Sequence, residues 1–324
     1  MRGSSVRRGF CVIAMVTMAY AVCSTAVNGQ ARQKQSPTPS SQISDLLNQV
    51  KTEEAAHASA KQLATLWIAL ADAYEKLVDL ESAVDAYAHA IRLLRGTGAQ
   101  ELYTKALDGI ASVYSATGRA KTAERCMRQA VELEHTAGDS TAETIMRREL
   151  AVALIAERKY AEAEKEAAEA LRLLEAQADP NVSEKIVVYL TRSRALCGMQ
   201  RCGEGLQDVD RAEALANSKI GASPVDIITI AALRGEEQFR SGAVDEGEPT
   251  VQQALRLVES RTDIPAPFQM RFRMRLLEEY AQLLGSAHRK REKKQVEEEI
   301  ARTKEQQPSC DGCTVSVASL GLFP

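Results

Sequence analysis

The sequence ATLWIALADAYEKLVDLESAVDAYAHA occupies Ala64–Ala90, and bulky and small residues recur in it at helical spacing. Trp67, Leu70 and Tyr74 are three or four residues apart, which places them on one stripe of a helix, and the small Ala71 lies beside that stripe. A second stripe follows after a short polar break, and it contains Ala83, Tyr87 and Ala90. The stretch therefore predicts two helices that pack closely against each other through small residues.

The same arrangement returns along the chain at intervals of 40 and then 42 residues. Six units are predicted, and they begin at about residues 64, 104, 144, 186, 228 and 270. Residues 42–57 have the apolar spacing of a single helix, with Ser44 as its predicted N-cap, so the array opens with half a repeat. Gly and Pro residues interrupt the pattern between units. We therefore expect an all-α array of about 12 to 13 helices over residues 42–305.

Some units depart from the pattern. Arg147 and Arg192 occupy bulky positions of the third and fourth units, and we expect the first turn at Arg147 to be less buried. Arg234 departs from the pattern in the fifth unit, where Pro249 falls early in the second helix, a place in which proline is tolerated only within the first turn. From Arg289 onward the sixth unit is highly charged, as is typical of the capping end of an array.

The first two units resemble tetratricopeptide repeats, because Trp67, Leu70, Ala71 and Tyr74 fill the positions that define that family. The period of 40 to 42 residues is similar to that of kinesin light chains. The resemblance implies a right-handed superhelix of antiparallel helix pairs, an α-solenoid. It also implies a non-catalytic scaffold or adaptor that binds a peptide or helix of another protein in a concave groove.

Residues that alternate with the core positions on the first helices are expected to face this groove. The predicted groove residues are Asp72, Lys105, Asp108, Ser112, Arg148, Arg194, Glu236 and Arg240, with Glu75, Arg271 and Glu278 at further groove positions. Arg148 and Arg194 have the forked donors that hold a carboxylate, such as a chain terminus. The alternative is that they are ordinary solvated helix charges, and both interpretations stay open at this stage.

The first 29 residues have the composition of an export signal peptide. Basic residues precede an apolar run from Phe10 to Val22, and small residues follow it. We expect cleavage after Ala26 or Gly29, with an uncleaved membrane anchor as the alternative. Residues 30–41 are rich in Gln, Ser and Pro and predict a disordered linker. The protein is therefore expected to be exported to the periplasm or the cell exterior.

Export would place the remaining cysteines in an oxidising compartment. Cys197 with Cys202, and Cys310 with Cys313, are each close enough in sequence for a local disulfide, whereas Cys126 lies among apolar helix positions. The second pair lies in the C-terminal tail, residues 306–324, and forms a CxxC motif. A thiol-disulfide protein is therefore an alternative function, although the strand that precedes a redox CxxC is not predicted here.

The net charge of −3, with 41 basic and 44 acidic residues, gives no indication of nucleic acid as a partner. A basic cluster lies in the cap and consists of Arg289, Lys290, Arg291, Lys293 and Lys294. This cluster is either a solvated face or, in the alternative of a peripheral membrane adaptor, a contact with an anionic membrane surface. The four histidines are scattered, so the sequence predicts no metal site and no cofactor.

Overall fold

The computed structural model describes residues 39–218, 223–264 and 266–305, which form thirteen helices and contain no strand. In chain order the helices are α1 (Pro39–Ala55), α2 (Ala60–Lys76), α3 (Leu80–Leu94), α4 (Gln100–Ala116), α5 (Ala120–Ala137), α6 (Ser140–Ala156), α7 (Tyr160–Glu175), α8 (Val182–Gly198), α9 (Cys202–Ala216), α10 (Pro224–Arg240), α11 (Val244–Ser260), α12 (Ala266–Ser286) and α13 (Lys290–Glu305). The predicted all-α solenoid is confirmed.

Six helical hairpins follow α1, and each packs against the next along the chain. Every hairpin has a link of three residues between its helices, and the middle residue of each link has a positive φ. Only Gly118 and Gly242 among these six residues are glycines. The other four have φ between 58° and 65°, and they are Val78, Arg158, Gln200 and His288. The left-handed residue reverses the chain and directs the second helix back along the first.

The first helices of the hairpins begin at residues 60, 100, 140, 182, 224 and 266, so the predicted period of 40 and 42 residues is confirmed. Each of these helices begins four residues before the predicted start of its unit. The half repeat is present as α1. The N-cap prediction for Ser44 is wrong, because α1 already begins at Pro39, within the predicted linker.

Local sequence explains several helix starts. Ser59 accepts a hydrogen bond from the Gln62 amide while the Gln62 side chain accepts one from the Ser59 amide, a reciprocal capping box before α2. Ser223 and Asp226 form the same pair before α10, which has Pro224 as its first residue. Asp79, Asp139 and Asn181 cap α3, α6 and α8 through their side-chain oxygens.

The core consists of three overlapping clusters of buried side chains. One extends from Ala64 to Val113, the largest from Leu107 to Leu233, and the third from Ile228 to Val296. Alanines at the helix crossings, among them Ala123, are 0% exposed, as the small-residue pattern predicts. Each cluster draws on several hairpins, so no hairpin buries its apolar stripe alone.

Two expectations about irregular positions are wrong. The Arg147 side chain is only 16% exposed, because its guanidinium is held by Glu143 and Glu166 and its stem replaces a bulky apolar side chain. Pro249 lies in the second turn of α11, which begins at Val244, so the helix continues past a proline that cannot donate a backbone hydrogen bond.

Candidate functional site: the inner groove

The first helices of successive hairpins lie side by side. Contacts join α2 to α4, α6 to α8, α8 to α10 and α10 to α12, in addition to the contacts between neighbours in sequence. The faces of α2, α4, α6, α8, α10 and α12 that do not enter the core form one surface, which we call the inner groove. The predicted groove residues all lie on these helices.

At the start of the inner groove, Tyr87 brings two carboxyl groups together. Its hydroxyl lies 2.6 Å from Oδ1 of Asp72 and 2.9 Å from Oε2 of Glu75. Gly109 of α4 makes this approach possible, because a Cβ there would lie 2.3 Å from Cζ of Tyr87. Burial raises the pKa of Glu75 to about 7, opposed by the Tyr87 hydrogen bond and aided by Asp72.

Asp108 on α4 has a similar environment. Burial is the main cause that raises the pKa of Asp108 to about 7; Glu149 adds to the rise and Arg148 opposes it. Lys105 Nζ lies 3.8 Å from Oδ2 of Asp72, so it compensates part of the negative charge. Ser112, one turn after Asp108, is half-buried. The first half of the inner groove therefore contains carboxyl groups that exchange protons near neutral pH.

Arg148 is buried, at 7% exposure, and its guanidinium is already paired. Its Nε lies 2.7 Å from Oε1 of Glu184 on α8, and its Nη1 lies 2.7 Å from Oε1 of Glu149. The pair with Glu184 ties the third hairpin to the fourth, whereas Glu149 lies on α6 beside Arg148. A carboxylate of a partner would therefore meet a guanidinium whose charge Glu149 and Glu184 already compensate.

In the second half of the inner groove, Glu236 lies between two arginines. Arg240 Nη2 lies 2.7 Å from its Oε1, and Arg194 Nη2 lies 3.9 Å from its Oε2. Glu279 of α12 accepts a hydrogen bond of 3.1 Å from Nε of Arg275. Burial, followed by the charge of Glu236, raises the pKa of Glu279 to about 7.

The structure thus sorts the predicted residues into two groups. Asp72, Lys105 and Asp108 lie together at the start of the inner groove, and Arg194, Glu236 and Arg240 lie together further on, with Arg148 between the groups. Reasoning from sequence missed the acids that hold Arg148, and it missed a buried acid, Glu237. The sequence does mark Glu237 as unusual. Ala73, Ala153 and Ala195 occupy the equivalent position in other first helices, so an acidic residue there departs from the pattern of small residues.

The cysteine predictions have two outcomes. Cys197 and Cys202 form a disulfide that joins the end of α8 to the start of α9 across the three-residue link. Cys126 is free and half-buried, and burial raises the pKa of its thiol, which lowers its reactivity. Cys310 and Cys313 lie outside the described residues, so the CxxC motif stays a prediction.

The basic cluster of the cap is largely compensated by acids. Arg289 pairs with Glu248 at 3.1 Å and with Glu292 at 2.9 Å. Lys293 and Lys294 face acids one turn further along α13, at 3.5 and 4.0 Å, while Lys290 and Arg291 are exposed. Among the described helices, none has the length and apolar character needed to cross a membrane. The same part of the chain contains no group of three or more potential metal ligands.

Comparisons with known proteins agree with this geometry. The family model of the tetratricopeptide repeat matches residues 64–93 and 99–134. Similar solved structures include BtubC (BKLC) from P. vanneervenii, at 20% identity and a TM-score of 0.57 over 68% of this chain and 90% of that one. The apo form of RapI has 13% identity and a TM-score of 0.65 over 85% and 95% of the two chains.

A Rap protein complexed with competence and sporulation factor is similar at 11% identity, with a TM-score of 0.59 over 82% of this chain and 71% of that one. The comparison with curated protein sequences finds no match. At these identities the solved structures show the fold alone. The family model matches two repeats, and helical hairpins continue over the other described residues, so the chain contains tetratricopeptide repeats within an α-solenoid.

Proposed function

We propose that the protein is a non-catalytic scaffold that binds a peptide or helix of another protein in the inner groove. The observation that carries this proposal is that the first helices lie beside one another, with half-buried polar side chains along the surface that they share. Direct contacts between these helices are fewest between α4 and α6, where the charges of Arg148 and Glu149 act on Asp108. A surface of this kind offers hydrogen bonds and charges to an extended or helical segment over several repeats. The Rap complex with competence and sporulation factor adds a protein of the same fold that holds a ligand.

The charges of the inner groove favour a polar partner with both signs of charge. Lys105 and Arg240 have side chains that are 53% and 46% exposed, so each can exchange its present acid for one of a partner at little cost. Asp108 and Ser112 lie between the ion pairs of the first half. We infer that the ligand makes its polar contacts there and is positioned, rather than chemically changed, by the protein.

A photo-crosslinking experiment tests the proposal. A photoreactive amino acid would replace Ser112 in the inner groove or, as a control, Glu132, which is exposed on α5 outside the groove. In cells that naturally contain the protein, we expect Ser112 to give a discrete protein adduct that Glu132 does not give. The Lys105→Glu variant should weaken that adduct. Equal labelling from both positions, or no adduct from either, would exclude the inner groove as the binding surface.

We further propose that the protein acts in the cell envelope or outside the cell. The support is the export pattern of residues 1–29, which lie outside the described residues. A fusion of these residues to a reporter that works only after export should be active, and replacement of the apolar run by polar residues should abolish the activity. A reporter that stays inactive with the intact segment would contradict the envelope location. Two alternative functions make different predictions. Membrane binding by the cap predicts that the protein binds liposomes and that salt weakens this binding. Thiol exchange by Cys310 and Cys313 predicts a disulfide-exchange activity that is lost in Cys310→Ser.

A further inference from the structure

Two of the core clusters meet within α10. Ile230 and Leu233 pack in the cluster that begins at Leu107, whereas Ile228, Ala232 and Phe239 pack in the cluster that ends at Val296. A single helix thus separates two cores, and we call its contact with α8 and α9 the joint. Because each core is continuous on its own side, a change at the joint would move the two parts of the solenoid relative to each other.

A carboxyl group is buried in the joint. Glu237 of α10 is 1% exposed, and its Oε1 is hydrogen-bonded to the hydroxyl of Ser193 on α8, which is 0% exposed. Its Oε2 lies in the space that the absent side chain of Gly205 leaves on α9, since a Cβ there would lie 2.9 Å from it. Three helices therefore meet around one ionisable side chain.

The hydrogen bonds around Ser193 indicate where a proton lies. The Ser193 hydroxyl is 2.8 Å from the carbonyl oxygen of Gly205 and is also bonded to Glu237. One hydroxyl proton cannot serve two acceptors, so an ionised Glu237 would leave one close oxygen pair without a hydrogen. A protonated Glu237 solves this, because it donates to Ser193 while Ser193 donates to Gly205. The second carboxyl oxygen, Oε2, is buried without a hydrogen bond, which a neutral acid tolerates far better than a carboxylate.

The charges around the joint do not compensate an ionised Glu237. Arg194 and Arg240 favour its charge, but both already face Glu236, which opposes that charge. Burial therefore dominates and raises the pKa of Glu237 to about 7. Buried or half-buried acids of the neighbouring helices have partners of their own: Asp208 of α9 is held by Arg192 and Arg211, Glu248 of α11 by Tyr280 and Arg289, and Glu279 of α12 by Arg275.

We propose that the joint is a proton-operated hinge, closed while Glu237 is protonated and opened when Glu237 ionises and draws water between α8, α9 and α10. Opening separates the two cores and changes the shape of the inner groove. Any ligand that spans the groove would then bind with an affinity that depends on pH. The hinge itself does not require a ligand, so it can be tested whether or not the proposed function is correct.

Amide hydrogen exchange of the full chain at pH 6, 7 and 8, corrected for the intrinsic pH dependence, tests the hinge. If opening returns the pKa of Glu237 from about 7 to its ordinary value of 4.5, the opening equilibrium constant rises about tenfold between pH 6 and pH 8. We expect protection in α9 and the second half of α10 to fall by about this factor. Protection in α5, which packs against α4 and α6 and serves as the internal reference, should stay constant.

Two variants separate the hinge from a general effect of pH. Glu237→Gln can still donate to Ser193 but cannot ionise, so protection of the joint should no longer depend on pH. Glu236→Gln removes the adjacent carboxyl, whose charge helps to raise the pKa of Glu237, so a pH-dependent fall should remain but be smaller than in the wild type. If Glu237→Gln does not fold, Glu237→Ala serves instead, because alanine occupies this position in other hairpins. Constant protection of the joint in the wild type, or an unchanged fall in the variant without an ionisable residue 237, would overturn the proposal.

Discussion

At the scale of single residues, the missing side chain of Gly109 allows Tyr87 to reach the inner groove. An added Cβ would lie 2.3 Å from Cζ of Tyr87, so the ring has to move and lose its bonds to Asp72 and Glu75. We expect Gly109→Ala to lower the free energy of unfolding by about 2 kcal/mol, although alanine favours a helix. Urea denaturation followed by circular dichroism measures this loss.

Gly203 on α9 provides the matched control for this prediction. A Cβ added there meets nothing within 4 Å, so Gly203→Ala tests helix propensity without a clash. We expect this variant to be as stable as the wild type or up to about 1 kcal/mol more stable. If both alanine variants shifted the urea midpoint equally, the close approach of Tyr87 to α4 would not be a source of stability.

Glu75 makes stability depend on pH in a defined direction. Its pKa is about 7 in the folded protein against an ordinary value of 4.5, so the folded state holds the proton more tightly. The resulting stabilisation is present at pH 4.5 and is lost as the pH rises to about 7 and above. Across that window the free energy of unfolding of the wild type should fall relative to Glu75→Gln, by ~3 kcal/mol for a shift of this size.

The measurement is a series of urea denaturations of both proteins between pH 4.5 and 8.5. Glu237 and Glu279 also hold protons more tightly in the folded state, but they are common to both proteins and cancel in the difference. Asp108 does not cancel fully, because the charge of Glu75 helps to raise its pKa and is absent from Glu75→Gln. A difference that stays constant over the whole range would show that Glu75 is ionised in the folded protein and that Tyr87 donates to a carboxylate.

At the scale of elements, an ion pair takes the place of an apolar contact in the fourth hairpin. Arg192 lies where the repeat pattern favours leucine, and it donates bonds of 2.6 and 2.7 Å to Asp208, which is 0% exposed. In Arg192→Leu, Asp208 keeps a single ion pair within the part of the chain that the structure describes, with the half-exposed Arg211. We expect the free energy of unfolding to fall by about 3 kcal/mol, because a buried carboxylate is left without its main partner.

The double variant Arg192→Leu, Asp208→Ala is the decisive comparison. Both of its residues suit the apolar contact between α8 and α9, so we expect it to regain most of the stability lost in the single variant. Thermal and urea denaturation of the wild type, both single variants and the double variant complete the cycle. The interpretation fails if the double variant is less stable than Arg192→Leu alone.

The elements show what a sequence of this kind can predict. The 40- and 42-residue period locates every hairpin, because core positions recur wherever a helix packs against its neighbour. The conformation of the links is harder to predict from the sequence. Gly118 and Gly242 indicate a residue with positive φ, whereas Val78 and Arg158 adopt a positive φ although their residue types do not favour it. Their conformation follows from the packing of the two helices and not from local sequence.

At the scale of the whole molecule, the groove residues were predictable but their partners were not. Arg148 pairs with Glu184, 36 residues away, and Ser193 with Glu237, 44 residues away. Both contacts join one hairpin to the next, so they depend on the rotation between hairpins as well as on the period. Periodicity determines which face of a helix is inward, and it leaves that rotation open.

Because each core cluster spans several hairpins, damage at one helix crossing should spread to its neighbours. Ala123 of α5 is 0% exposed and belongs to the cluster from Leu107 to Leu233. Ala123→Trp overpacks this crossing and should lower the free energy of unfolding by about 1 to 3 kcal/mol or more. Hydrogen exchange should show lost protection in α4 to α7, while α12 and α13 stay protected.

Ala137→Trp is the control, because Ala137 is an exposed position of the same helix, and it should have little effect on stability. An unchanged melting curve for Ala123→Trp would mean that the register of the hairpins is wrong.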